Sequence, residues 1–178
     1  MNFNFLAKLD VRAAAQELAN TDAPQWDAFT LRQTFRGTAH GDTKCIPLRG
    51  AFPFSNSYSP DANRNLLPAA EDYPHTRALL NDTLSHLNVT SVGNVMAVAL
   101  LPGGMITPHI DEGPYADAFE RFHIVLSAST GNWFQVGQDI AYPAPGDVFF
   151  FNHREMHSAG NPTAEVRIHL IVDVTLKD

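Results

Sequence analysis

The sequence predicts a mainly β domain with flanking helices, closed as a double-stranded β-helix, a jelly roll of the cupin type. Three observations carry that prediction. After Asn88 six short β-type runs follow one another with no helical pattern between them: "SVGNVMAVALL", "RFHIVLSA", "NWFQVG", "IAYPA", "GDVFFFN" and "EVRIHLIVDVTL". Gly, Pro and Asn punctuate these runs, as turns of an antiparallel sandwich or barrel require. The helical patterns all fall earlier in the chain, where they are placed to pack outside one sheet.

Taken in order, the first element is a short helix in "DVRAAAQELAN", with Asp10 as N-cap and Val11, Ala14, Ala15 and Leu18 on one face. Short alternations from Trp26 to Tyr58 suggest strands around Phe29–Phe35 and Ala51–Ser57. "DYPHTRALLNDTLSHLN" reads as a longer helix, started by Asp72 and Pro74, with Leu79, Leu80, Leu84 and Leu87 as its buried stripe. The strand runs follow, and "PAPGD" launches "VFFFN" through a turn in which Gly146 supplies the unusual backbone angles. The 178 residues fit one domain: residues 1–90 form a mixed helix and strand region supporting the barrel, and residues 91–178 form the jelly-roll core.

Composition removes several function classes. A net charge of −7 argues against a nucleic-acid binder, which needs a basic face. No apolar run approaches the length of a membrane span. The N-terminus lacks the pattern of a signal peptide, and the single Cys45 excludes an internal disulfide framework, so a cytoplasmic location is expected. Nine arginines stand against three lysines, several of them alone in apolar contexts, which suits recognition of small carboxylates.

The polar residues that interrupt the apolar runs carry the chemistry. In an extended segment residues i and i+2 share a face, so His109 and Asp111 in "TPHID" are able to grip one ion. The pair alone is weak, because eight histidines and thirteen aspartates in 178 residues give about 0.6 such pairs by chance. His157, in "MHSAGN" after a Phe-rich strand, completes a set of two histidines and one carboxylate. On one face of a β-barrel that set is the facial triad of non-haem Fe(II) oxygenases, with positions left open for substrate, co-substrate and O2. Ten residues on, Arg167 alternates with Val166, Ile168 and Leu170 and so points to the opposite face, with His169. A guanidinium directed into a barrel needs an anion, and a dicarboxylate held bidentately is a natural one. The same parity places Arg121 and His123 on one face of "RFHIVL" and Phe122, Ile124 and Leu126 on the other. The polar residues therefore line a pocket.

With these residues in view, the C-terminal half resembles the aspartyl/asparaginyl β-hydroxylase family of Fe(II)- and 2-oxoglutarate-dependent oxygenases. The resemblance rests on "LPGGMITPHID", "RFHIVL", "PAPGDVFFFN", "HSAGN" and "RIHLIVDV", in that order, over residues 92–176; "AHGDTKCIPLRG" resembles the family's upstream segment. It implies that His109 and His157 bind iron and that Arg167 pairs with the distal carboxylate of 2-oxoglutarate. It further implies that His123 contacts the other end of the co-substrate and that Arg121 faces the substrate carboxylate. The alternatives are a hydrogen-bonded core histidine for His123 and pairing of Arg121 with Glu120 or Asp117. His169 shares the inward face, where buttressing Arg167 is the only role expected of it. His153 and Arg154 are expected to be solvated near the metal, and His40, His75 and His86 to be structural or exposed. Asp111 marks a departure: the animal peptide hydroxylases of the family lack the metal carboxylate, whereas bacterial members and the related free-proline hydroxylases have it.

The expected activity is hydroxylation of an unactivated C–H, on an amino acid or an Asp/Asn-type residue of a peptide, with Fe(II), 2-oxoglutarate and O2. The substrate is then a small molecule or peptide, and "DEGPYADAFE" is a candidate lid over it. The competing readings are a free proline-type amino-acid hydroxylase and a metal-binding cupin without oxygenase activity. The second of these has no need of an inward arginine past its last ligand.

Overall fold

The structure, a computed structural model, describes residues 2–34, 36–51 and 64–177. Its helices are α1 (Arg12–Leu18), α2 (Leu31–Thr34), α3 (Pro74–Ser85) and α4 (Pro114–Ala118), with 3-10 turns at Pro24–Asp27 and Pro68–Asp72. Its strands are β1 (Phe3–Lys8), β2 (Thr43–Ala51), β3 (Arg64–Leu66), β4 (Val89–Leu100), β5 (Met105–His109), β6 (Glu120–Ser127), β7 (Trp133–Val136), β8 (Asp139–Ala141), β9 (Asp147–Phe151), β10 (His157–Gly160) and β11 (Arg167–Leu176). They form a seven-stranded sheet in the order β1-β9-β6-β11-β4-β2-β3 and a four-stranded sheet in the order β5-β10-β7-β8, all pairs antiparallel.

Alternation along the strands explains how the layers stack. On the outer face of the large sheet Phe122, Ile124 and Leu126 of β6 join Ile168, Leu170, Val172 and Val174 of β11 under Ala14 and Leu18 of α1 and Leu80 of α3. The opposite face of the large sheet turns to the small sheet, where Val125 of β6, Phe149 of β9 and Leu100 of β4 meet Ile106, Phe134, Val136 and Ala159. Two facing antiparallel sheets with helices on one outer face make the jelly roll that the sequence predicts. Among the described residues no helix is long and apolar enough to cross a membrane.

Three local features set the frame. Gly146 has φ +91 and a Cβ there would lie 2.4 Å from the Leu9 carbonyl oxygen, so only glycine lets this turn bond β1 on one side and β6 on the other. α3 begins at Pro74, and its orphan N–H groups are satisfied from another helix: Glu17 accepts from His75 N (2.7 Å), Thr76 N (2.8 Å) and Thr76 Oγ1 (2.9 Å). Glu17→Ala is therefore expected to lower stability by about 1–2 kcal/mol, read as a shift in urea midpoint, with Glu17→Gln losing less. β1 was missed from sequence, although Phe3 and Phe5 alternate within it; it closes the edge of the large sheet by pairing Phe3 with Phe151.

Two local expectations are corrected. The strand sought around Phe29–Phe35 is instead the short helix α2 over Leu31–Thr34, tied back by Gln33 N and Thr34 Oγ1 to the Thr30 carbonyl. A short apolar run does not by itself distinguish the two periods, and β2 already has β3 and β4 as partners on its two edges. α1 starts one residue later than expected, with Val11 at the N-cap, although Asp10 still accepts from Arg12 N at 3.2 Å. The strand expected at Ala51–Ser57 lies outside the described residues beyond Ala51.

Candidate active site

Pairing of β10 with β5 sets His157 directly opposite His109, with ring centroids 4.2 Å apart. Each ring is held through its Nδ1. That of His109 lies 2.8 Å from the Thr107 carbonyl and that of His157 3.0 Å from the Glu155 carbonyl. A neutral imidazole that donates from Nδ1 leaves Nε2 bare, which is the form a metal takes. Asp111, two residues past the end of β5, brings Oδ1 to 3.7 Å from His109 Nε2. Ligand atoms of His109, Asp111 and His157 all lie within 4.8 Å of one another. The structure thus brings the three residues into one N, N, O set, of the kind that holds a divalent first-row metal and leaves positions open.

The electrostatics keep the set ready to ligate. Burial pushes the His157 imidazole down to about 4, so the ring is uncharged at neutral pH and keeps one bare nitrogen. Burial opposes ionisation of Asp111, but the Arg121 guanidinium, His153 and the two ligand histidines outweigh it and hold the carboxyl well below the usual carboxylate range.

Arg121 is the strut behind Asp111. Its Nη1 donates to Asp111 Oδ2 at 2.6 Å, while Nε and Nη2 donate to Asp173 at 2.7 and 3.1 Å. Asp173 is 1% exposed and also accepts from the Tyr115 hydroxyl at 2.9 Å, and Tyr115 Oη in turn accepts from Asn94 N at 2.8 Å. Arg121 lines the cavity, and all three of its guanidinium nitrogens are engaged by the two aspartates rather than by Glu120 or Asp117. Glu120 takes Arg154 instead, at 2.8 Å. Asp173 was missed, although it shares the parity of Arg167 and His169 on β11.

Arg167 and His123 form a second cluster between the sheets. Arg167 is 4% exposed, has no ion pair among the described residues, and makes one long hydrogen bond, from Nη1 to the Trp133 carbonyl at 3.5 Å. Its Nε has no partner, and burial pushes the guanidinium down to about 10. An unpaired buried cation is costly, which marks the place for an anion. His123 is wedged among Phe134, Phe149 and Phe151, and its Nδ1 lies 3.1 Å from His169 Nδ1. Phe149 and Phe151 belong to the core between the sheets, and Phe151 also lines the cavity.

The cavity itself is roughly 320 Å³ including its mouth, and Arg32 and His40 complete its wall from the N-terminal half. His40 was expected to be structural or exposed, but its ring stands edge-on to His109 at 4.8 Å between centroids. His153, expected to be solvated, is buried beside Asp111, with Nδ1 3.6 Å from Oδ2. Arg154 pins the supposed lid: its Nη2 donates to the carbonyls of Ala116, Asp117 and Phe119, and Tyr115, Ala116 and Phe119 are buried. This segment is fastened to the barrel. His75 and His86 are exposed and take no part.

Two histidines and one carboxylate gathered on one side of a jelly roll form a set able to hold one divalent metal ion. The family model for aspartyl/asparaginyl beta-hydroxylase matches residues 6–176, and the chain belongs to that family; it is a hydroxylase. No curated protein matches it in sequence. Among solved structures, an oxidoreductase of the 2OG-Fe(II) oxygenase family from Burkholderia pseudomallei superposes with TM-score 0.59 at 17% identity, over 98% of this chain and 84% of that one. A prolyl hydroxylase from Trichoplax adhaerens, in complex with a hypoxia inducible factor peptide fragment, gives 0.59 at 11% identity, over 97% and 83%. A viral collagen prolyl hydroxylase from Paramecium Bursaria Chlorella virus-1, in a 2OG complex, gives 0.54 at 12% identity, over 100% and 97%. These three share the fold.

Proposed function

We propose that this hydroxylase uses Fe(II), 2-oxoglutarate and O2 to hydroxylate an unactivated C–H of an amino acid or of an Asp/Asn-type residue in a peptide. The observation that carries the reading is a pairing. An N, N, O ligand set and a buried guanidinium without a counter-ion among the described residues lie between the same two sheets. A metal-binding cupin accounts for the first and leaves the second unexplained.

The donor set fits iron and the orphaned cation fits a dicarboxylate. His109 Nε2, His157 Nε2 and Asp111 Oδ1 would hold the metal, Arg167 the far carboxylate of the keto acid, and His123 an oxygen nearer the metal. Bound there, iron supplies the oxidative decarboxylation of 2-oxoglutarate to succinate and CO2, in which one atom of O2 enters succinate and the other the substrate C–H as hydroxyl. The chain's own contribution is geometric. The Thr107 and Glu155 carbonyls fix both ligand rings, Arg121 turns one oxygen of Asp111 away and leaves the other free, and Phe134 and Phe151 exclude water. Support for a peptide or small-molecule substrate comes from the Trichoplax protein, which holds a peptide fragment.

The test supplies Fe(II), 2-oxoglutarate and O2 with a panel of free amino acids, proline among them, and Asp- or Asn-containing peptides. Succinate release coupled to a gain of one oxygen atom on one panel class is the expected result. Metal-dependent turnover that ignores 2-oxoglutarate would contradict it.

A further inference from the structure

The functional reading gives His169 no part in holding metal, co-substrate or substrate, yet its placement is specific. The ring is 2% exposed, its Nδ1 lies 3.1 Å from His123 Nδ1, and neither ring's Nε2 has a partner among the described residues. Two imidazoles joined through their Nδ1 atoms have one proton between those atoms, so one ring donates and the other accepts. Burial drives both rings far below the usual imidazole range, and both are neutral. A neutral ring carries a single N–H. The donor ring therefore has a bare Nε2, and the acceptor ring carries its proton on Nε2. The pair has two arrangements, and the choice decides whether His123 shows the cavity a hydrogen-bond donor or a lone pair.

Charge selects between them. Arg167 and His169 are two residues apart on β11 and share a face, and Arg167 is the foremost charged group acting on the His169 ring, whereas on His123 it comes after Arg121. A nearby cation favours a bare nitrogen, so the His169 proton goes to Nδ1. Arg121, two residues from His123 on β6, would favour the opposite choice, but Asp111 and Asp173 neutralise it, whereas Arg167 has no ion pair among the described residues. The Arg167 effect wins.

We propose that His169 is a positioning residue that fixes the tautomer of His123, so that His123 presents Nε2–H as a donor to an oxygen of the anionic ligand held by Arg167. The nature of that ligand, a keto acid, rests on the function proposed above; the tautomer does not.

Long-range 15N–1H correlation NMR of metal-free protein labelled at histidine reads each ring directly, with His123 and His169 assigned by substitution. The expected result is Nε2–H on His123 and Nδ1–H on His169; the reverse pair overturns the proposal whether or not the protein is an oxygenase. A second arm titrates 2-oxoglutarate anaerobically into Fe(II)-loaded protein. His169→Leu removes the donor and is expected to weaken keto-acid affinity about tenfold with Fe(II) affinity unchanged. His169→Gln, whose amide is able to donate to His123 Nδ1, is expected to stay close to wild type. Equal loss in both variants, or none in either, overturns the proposal. Failure of wild type to bind 2-oxoglutarate defeats the oxygenase reading and leaves the tautomer result standing.

Discussion

Arg167→Leu is expected to abolish useful binding of 2-oxoglutarate while making the ligand-free protein more stable. The two effects share one cause. Arg167 is buried between the sheets with a single long hydrogen bond and no counter-ion among the described residues, so the ligand-free fold carries the desolvation of a guanidinium almost uncompensated. Replacing it by an apolar side chain removes that burden, and a gain of about 1–3 kcal/mol is expected in urea unfolding. The loss of affinity follows from the same vacancy of charge. A guanidinium–carboxylate pair with two charge-assisted hydrogen bonds in a dry site contributes about 3 kcal/mol or more, a weakening of roughly 100-fold when it is removed. Calorimetric titration of the anaerobic Fe(II) form checks affinity and the urea midpoint checks stability. A variant that binds the keto acid normally, or one that unfolds more easily, would mean that Arg167 is an ordinary structural residue.

Asp173→Leu is expected to move stability the other way. Asp173 is as deeply buried as Arg167 but fully partnered, accepting from Arg121 Nε, Arg121 Nη2 and the Tyr115 hydroxyl. Removing it strands part of a half-buried guanidinium and a buried hydroxyl at once, and a loss of about 2–4 kcal/mol is expected. Asp173→Asn keeps an acceptor without the charge and should fall between, and Tyr115→Phe, which deletes one bond, should lose about 1 kcal/mol. Metal affinity should follow the same order, because Arg121 also holds Asp111 Oδ2; outer partners of this kind alter metal affinity by about 10- to 100-fold. Urea midpoints and anaerobic Fe(II) titration across the three variants read both scales. A flat series would show that the Asp111–Arg121–Asp173 chain does not act as a unit.

The opposite signs expected for two buried charges also show what was legible in the sequence. Parity on β6 and β11 was legible because each strand has one uninterrupted apolar face, so Arg121, His123, Arg167 and His169 had to share the other. The same count reaches Asp173, which went unread because it sits near the end of its strand, where a carboxylate ordinarily meets water. The ligand set was legible through spacing, but the pairing of His109 with His157 across β5 and β10 depends on a register that no local pattern specifies. His40 had no local signal at all. It reaches His109 because the loop before β2 folds back on β5, through Thr107 N to the Ala39 carbonyl and Met105 N to Asp42, residues 63 positions apart in sequence. His153 was misjudged for a related reason: a polar loop residue reads as solvated, whereas Arg154 ties this loop to the α4 segment and His153 is buried.

The central claim is that iron and a keto acid meet between these two sheets, and one measurement addresses it directly. Metal-free protein is titrated anaerobically with Fe(II) and then with 2-oxoglutarate while the visible spectrum is followed. The account predicts an iron-to-keto-acid charge-transfer band in wild type that is absent in Arg167→Leu. Iron binding without that band would contradict it, and failure to bind iron would show that His109, Asp111 and His157 do not act as one ligand set.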